Sequence, residues 1–186
     1  PATGGSGKTL PRRCWGVGLE GMITGFFMTL NIPEEDFVDF LVYAKRNAYA
    51  AEEVKHRVHP ALPGSRQYEI RDGAFFYLDI YFGITYFTGQ ETVYHKSKPI
   101  WGMSYAGGVS DDFPDAEAGR IFNFLKESLR AVSMGLPYRG PASFENDIYR
   151  YTNNVVGKVR RFSGTETIFC EGHSVYQLHY SGGFLR

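Results

Sequence analysis

Hydrophobic residues recur in one early segment of the chain at the spacing of a single helix face. They stand at Phe37, Phe40, Leu41 and Ala44, which are the positions i, i+3, i+4 and i+7 of an amphipathic helix. Asn31 can cap this helix, and the acidic residues of its first turn complement the positive end of the helix dipole. The pattern therefore predicts a first helix with one buried stripe.

The hydrophobic residues that follow alternate in the manner of β-strands and are rich in aromatic side chains. After a polar loop from Glu52 to Pro63, strands are predicted at Ala74–Phe82, Thr85–Tyr94 and Ile100–Ala106. The short breaks between these runs are typical of hairpin turns.

A second helical stripe begins after these strands and is followed by further strands. Its buried positions are Ile121, Phe122, Leu125, Leu129 and Val132. Asp112 or Asp115 can cap this helix, and Gly135 with Pro137 can end it. Strands are then predicted at Ile148–Thr152, Lys158–Cys170 and Val175–Leu185. The order of elements is thus helix, three strands, helix, three strands.

The two halves of the chain also resemble each other residue by residue. When the sequence is aligned with itself so that Phe87 lies on Phe162, Phe87–Tyr94 matches Phe162–Phe169. Without a gap, seven of the 23 pairs from Phe87 to Val109 are identical. Unrelated segments of this composition share far fewer identities, so we interpret the match as an internal duplication.

The duplication predicts the fold class and the domain organisation. We expect an α+β fold in which two tandem helix-plus-three-strand repeats are related by a pseudo-twofold axis. The helices should cover one face of an antiparallel sheet. The predicted boundaries are an N-terminal extension at 1–30, a first repeat at 31–110 and a second repeat at 111–186, with both repeats in one domain.

The alternation of side chains in the last strand of each repeat predicts which residues face the helices. The helix-facing set is Trp101, Met103 and Tyr105 in the first repeat, and Tyr176, Leu178 and Tyr180 in the second. The opposite set is Ile100, Gly102 and Ser104, then Val175, Gln177 and His179. This second face is of mixed polarity and could line a groove.

Composition and charge limit the classes of function. The 20 basic and 20 acidic residues give a net charge of zero, so we expect no direct nucleic-acid binding. The apolar stretch from Trp15 to Leu30 is too short to span a bilayer, so no membrane role is expected. Cys14 and Cys170 form no disulfide framework, which favours a cytoplasmic location.

Several motifs that could bind a cofactor or a metal have plainer interpretations. Residues 2–9 match the loose phosphate-loop pattern. However, Leu10 and Pro11 follow where a helix is needed, and we expect a dispensable, flexible tail at residues 1 to about 10. His56 and His59 lie in a loop beside basic residues, and we predict neither a metal site nor a cofactor.

The candidate site residues come from the duplicated segments. Glu91 and Glu166 occupy the repeated Gly-x-Glu-Thr motif, where a carboxylate could bind a cation or act as a general base. The alternative is structural: the motif would start a strand after a glycine turn. Positions where the repeats have diverged could shape an asymmetric pocket, and we select His95, His179 and the aromatic pair Trp101 and Tyr176 as further candidates for ligand binding.

Part of the sequence resembles an uncharacterised family of bacterial domains. The residues that carry the resemblance are Phe40-Leu41, Gly89-Gln90-Glu91, Trp101–Tyr105, Tyr138–Pro141 and Gly182-Gly183, within a match from about Phe37 to Arg186. Members of this family are often joined to helix-turn-helix (Xre-type) regulators, which implies a regulatory role but transfers no catalytic residues.

The duplicated order of elements is also similar to effector-binding domains of bacterial regulators. These domains sense small, often cationic, molecules in a groove between their halves and use an acidic residue there. This resemblance implies a fold and a ligand site of the same kind.

These observations favour a non-enzymatic module that binds or senses a small molecule of unknown identity. The alternatives are a small enzyme that uses Glu91 or Glu166 as a general acid or base, and a protein-interaction domain. A carboxyl of strongly raised pKa in the largest pocket would mark the enzyme, and an exposed aromatic patch would mark the interaction domain. Catalysis and oligomeric state are left open by the sequence.

Overall fold

A computed structural model of the chain describes residues 32–53 and 55–186. The N-terminal extension at 1–30, with Cys14, the phosphate-loop pattern and the predicted dispensable tail, lies outside the described residues, as does the predicted cap Asn31. Residues Glu34–Arg186 form one compact unit.

The described residues contain two α-helices, both close to the predicted positions. Helix α1 spans Glu34–Asn47 and buries all four residues of its predicted stripe. Helix α2 spans Ala118–Arg130 and follows a short 3-10 turn at Asp115–Glu117. The predicted caps of α2 are wrong, because the N-cap residue is Glu117 and its side chain makes no capping hydrogen bond.

The described part of the chain also forms one antiparallel sheet of nine strands. The strands are β1 Arg57–Val58, β2 Arg66–Asp72, β3 Phe75–Gly83, β4 Tyr86–His95, β5 Lys98–Val109, β6 Ser143–Asn146, β7 Tyr149–Lys158, β8 Arg161–Cys170 and β9 His173–Phe184. Each of the six predicted strands has a counterpart, whereas β1, β2 and β6 were missed. Five strands rather than three therefore follow α1, and four follow α2. The additional strands extend the sheet at both ends.

The strand order in the sheet is β1-β2-β3-β4-β5-β9-β8-β7-β6, so the hairpins β4–β5 and β8–β9 meet at its centre. In the β5–β9 pair, Tyr105 lies directly across from Tyr180. The register shifts in the two hairpins occur at Val93/Tyr94 and at Ile168/Phe169. Residues that match when Phe87 is aligned with Phe162 therefore occupy the same place in the two hairpins.

The predicted facing of the central strands is largely confirmed. All six residues predicted to meet the helices are buried, and Ser104, Gln177 and His179 are exposed. The prediction was wrong for Ile100 and Val175, which are 1% and 4% exposed. Each of these two residues is the extra residue of a β-bulge, which interrupts the alternation of side chains.

No helix within the described ranges is long and apolar enough to cross a membrane.

Candidate functional site

A cavity of about 330 Å³ lies against the sheet strands β2 to β5 and is bounded by both helices. Its size is in the range of small-molecule sites. Eight aromatic side chains line it: Tyr49, Tyr68, Tyr77, Tyr81, Phe87, Tyr105, Phe122 and Tyr138. Phe122, predicted to belong to the buried stripe of α2, is only half-buried because it faces this cavity. We call this cavity the aromatic pocket.

Three tyrosines give the pocket flat walls, two of them nearly parallel and the third perpendicular to both. The rings of Tyr68 and Tyr81, from neighbouring strands, are nearly parallel, with centroids 6.4 Å apart. The ring of Tyr49, which follows α1, is perpendicular to both, at 6.4 Å from Tyr68 and 6.1 Å from Tyr81. Such walls suit a planar ligand, which can contact aromatic rings by face or by edge.

The inner end of the pocket is polar and is formed by two carboxyl groups on adjacent strands. Asp79 on β3 pairs directly with Glu91 on β4, and the two residues are 4% and 3% exposed. Lys45 of α1 forms a buried ion pair with Glu91. Tyr105 donates a hydrogen bond of 2.7 Å from its Oη to Oδ1 of Asp79.

The glycine of the Gly-x-Glu-Thr motif makes room for this tyrosine. Gly89 lies inside β4 and pairs with Tyr105 across the ladder, and a Cβ at Gly89 would lie 2.5 Å from the Tyr105 Oη. The expectation of a glycine turn that precedes the strand is therefore wrong. Position 89 is in mid-strand and needs a glycine, because the Tyr105 side chain passes over it to reach Asp79.

Burial changes the titration of the groups at the inner end. Burial, followed by the charge of Glu91, raises the pKa of Asp79 from 3.8 to about 7. Burial also lowers the pKa of Lys45, while the nearby Glu91 opposes this shift. Asp79 therefore exchanges its proton near neutral pH, which is unusual for a carboxyl group.

The second candidate carboxylate, Glu166, lies in a fully occupied network. Arg139 donates to both of its oxygens at 3.1 and 2.7 Å. Tyr151 and Tyr176 each donate a further hydrogen bond, at 2.7 and 2.8 Å. Glu166 is completely buried, and its role here is to hold Arg139, which also lines the aromatic pocket.

The residue that corresponds to Asp79 in this second network is an amide. Tyr180 donates a 2.6 Å hydrogen bond to Oδ1 of Asn153, as Tyr105 does to Asp79. The Nδ2 of Asn153 in turn donates to the carbonyl of Gly140 at 2.9 Å, and the Gly140 amide donates to the Tyr151 Oη at 3.0 Å. The backbone N–H and C=O of Gly140, which follows α2, therefore provide hydrogen-bond partners for Tyr151 and Asn153 of the second network.

Sequence reasoning missed Asp79, although a signal for it exists. A tyrosine stands two positions before Asp79, at Tyr77, just as Tyr151 stands two positions before Asn153. The chain between Gly157 and its ladder partner Phe162 is one residue longer than the chain between Gly83 and Phe87. An ungapped alignment that starts from the two phenylalanines therefore fails to match Asp79 with Asn153.

Among the predicted site residues, only Glu91 lines the aromatic pocket. Trp101 is fully buried and donates from Nε1 to the Val159 carbonyl at 3.1 Å. Tyr176 is buried beside Glu166. The structure thus brings Tyr176 and Glu166 together and places Trp101 in the core.

The two predicted histidines lie away from the pocket. His179 is exposed in a broad, open depression on the outer face of the sheet, where its Nδ1 lies 3.0 Å from the Thr165 hydroxyl. His95 is at the end of β4, and its ring centroid lies 5.1 Å from that of Phe75. Neither His179 nor His95 contributes to the pocket lining.

Within the described ranges, no group of three or more His, Cys, Asp or Glu side chains could hold a metal ion.

A family model described as Domain of unknown function (DUF5680) matches residues 79–185. Since this match covers more than half of the 186 residues, the chain belongs to the DUF5680 family. No curated protein matches the chain, and no solved structure does so either. The matched region begins at Asp79 and contains the inner end of the pocket, whereas Lys45, Tyr49 and Tyr68 precede it.

Proposed function

We propose that this DUF5680 member is a small-molecule-binding module and that its ligand occupies the aromatic pocket. The observation that carries the proposal is the carboxyl group of Asp79, buried at the inner end of a cavity of ligand size. The fold does not need a carboxyl group at this position. The equivalent Asn153 accepts the same tyrosine hydrogen bond with a neutral amide.

We also propose that the two halves are tandem repeats related by a pseudo-twofold axis. The strand order is symmetric about the boundary between β5 and β9 except for the additional β1. This order and the bulges at matching positions of the two hairpins support the proposal. Phe87 and Phe162, each the second residue of its strand, are both buried, at 9% and 4% exposure. On this account the second repeat fills its polar centre with Arg139 and Gly140, whereas the first repeat leaves its centre open to a ligand.

A fragment screen on the full chain tests the binding proposal. Compounds that raise the melting temperature would then be titrated by calorimetry into the wild type and into Tyr81→Leu, which removes one aromatic wall. The matched control is Tyr86→Leu, because Tyr86 is 64% exposed and lies outside the pocket lining. We expect binding to be lost in the Tyr81 variant and kept in the control. Hits that bind all three proteins equally, or a screen without hits, would contradict the proposal.

A second candidate function is catalysis, with Asp79 as a general acid or base. The raised pKa of Asp79, about 7, favours it, because proton transfer is most effective when the pKa of the group is near the working pH. Glu91 and Glu166, the residues first considered for this role, are each engaged by a buried cation. Asp79 is therefore the better placed carboxyl group for such chemistry.

Mass spectrometry of each hit after long incubation separates the two functions. A binding module returns the compound unchanged. An enzyme yields a product with the wild type and none with Asp79→Asn. A regulatory role and a bacterial setting, which the resemblances imply, are further parts of the proposal, as is the cytoplasmic location that the two cysteines favour.

A further inference from the structure

We propose that the ligand carries an anionic group, a carboxylate or a phosphate, and that Arg66 and Lys126 bind this group at the rim of the aromatic pocket. This inference rests on the proposed function and specifies the class of ligand. The rim is defined by Arg57, Arg66 and Lys126, which are half-buried or exposed and line the cavity. They come from three different elements, β1, β2 and α2, and all three line the same cavity.

Neutral groups of the protein hold two of the rim cations, Arg66 and Lys126, in place. Arg66 donates from Nη1 to the Gly83 carbonyl at 2.7 Å, and its guanidinium lies 5.7 Å from the Tyr81 ring centroid. The ammonium of Lys126 lies 5.3 Å from the ring centroid of Tyr49. Across residues 32–53 and 55–186, the ion pairs with carboxylates are formed by basic residues other than Arg66 and Lys126. Both charges are thus oriented by neutral groups and remain available to an anion.

The charge balance of the pocket favours an anion over a cation. Two of its five basic residues are neutralised by buried carboxylates, Lys45 by Glu91 and Arg139 by Glu166. Among the described residues of the lining, the three rim cations then face Asp79 as the one remaining acidic group. The whole chain has no net charge, so this excess is local to the pocket and attracts an anion selectively.

This inference differs from what the resemblance to effector-binding domains implies, since those domains often sense cations. A cationic ligand in this pocket would be repelled by the rim before it reached Asp79. An anionic ligand with a planar body would place its charge between Arg66 and Lys126 and its ring against the tyrosine walls.

Matched aromatic probes test the sign of the ligand charge. Benzoate, phenyl phosphate, neutral benzamide and cationic benzamidine would be titrated into the full chain by ligand-observed NMR, with inorganic phosphate as the anion without a ring. We expect the two aromatic anions to bind about ten-fold more tightly than benzamide. Their affinity should fall as salt is raised, because the rim is accessible to counterions.

Single substitutions locate the charge that is responsible. Arg66→Gln and Lys126→Gln should each weaken binding of the aromatic anions several-fold and reduce its salt dependence. The matched control is Arg71→Gln, since Arg71 also lies over an aromatic ring, that of Phe76 at 3.7 Å, but outside the pocket. This control should leave the affinity unchanged.

The outcomes separate this inference from the proposed function. If benzamidine binds more tightly than benzoate, or if anion binding is unaffected by both rim substitutions, the inference is overturned and the pocket is still a binding site. If none of the four aromatic probes binds, the compounds found in the fragment screen test the inference instead, through the charge they carry and their dependence on Tyr81. Hits that require Tyr81 but carry no anionic group overturn the inference alone, and hits that ignore Tyr81 overturn the proposed function as well.

Discussion

Replacement of Asp79 by asparagine should stabilise the protein at alkaline pH and leave its stability nearly unchanged in acid. The pKa of Asp79 is raised from 3.8 to about 7 in the folded state. The folded state therefore binds the proton more tightly than the unfolded state does. In the wild type, the stability contributed by the protonated Asp79 is fully present below about pH 4 and is lost progressively as the pH rises to about 7. Above that pH the loss is complete.

The size of the effect follows from the pKa shift. A shift of roughly three units at 1.36 kcal/mol per unit corresponds to about 4 kcal/mol for ionisation of the buried carboxyl group. Asparagine has no such ionisation and nearly the same shape. Its amide oxygen can accept the hydrogen bond of Tyr105, as Asn153 accepts that of Tyr180 in the second network.

Urea unfolding of the wild type and of Asp79→Asn between pH 4.5 and pH 8 measures this difference. We expect the free energies of unfolding to differ by only about 1 kcal/mol at pH 4.5 and by up to about 4 kcal/mol at pH 8, with the variant more stable. Asp72→Asn is the matched control, because Asp72 is exposed and lies outside the pocket. A variant whose advantage does not grow with pH, or which is less stable at pH 8, would refute the reasoning.

Three further predictions concern the scaffold, and each is measured by the free energy of unfolding. Phe87→Ala and Phe162→Ala should each cost about 3–5 kcal/mol, since both rings are buried; a loss in only one of them would contradict the equivalence of the two hairpins. Gly89→Ala should be strongly destabilising, because its Cβ would displace the Tyr105 side chain, and unchanged stability would contradict the packing described. Arg139→Ala should cost about 3–5 kcal/mol by leaving a buried carboxylate unpaired; a neutral result would show that Glu166 is not held as described.

The sequence predicted the elements whose hydrophobic pattern is regular. The stripe from Phe37 to Ala44 located α1, and the aromatic runs located the six long strands. It did not predict β2, where Arg66, Glu69 and Arg71 surround the buried Tyr68 and Ile70 and leave only two apolar positions in the strand. The positions of Ile100 and Val175 could not be predicted either, since a bulge is a property of the paired register rather than of one strand.

The candidate site was predicted only in part, for a similar reason. The repeated motif drew attention to Glu91, which lines the pocket. Asp79 was missed because a one-residue difference in turn length hides its match to Asn153. His179 and His95 were chosen because they differ between the repeats, but a difference in sequence does not show on which face of the sheet a residue lies.

The position of a bound ligand tests the central claim most directly. The measurement is a crystal structure of the full chain with the compound that raises its melting temperature most. The account predicts electron density inside the aromatic pocket, in contact with Tyr81, with a ligand atom close to the Asp79 carboxyl group. An empty aromatic pocket, with the compound bound instead on the outer face of the sheet near His179, would contradict it.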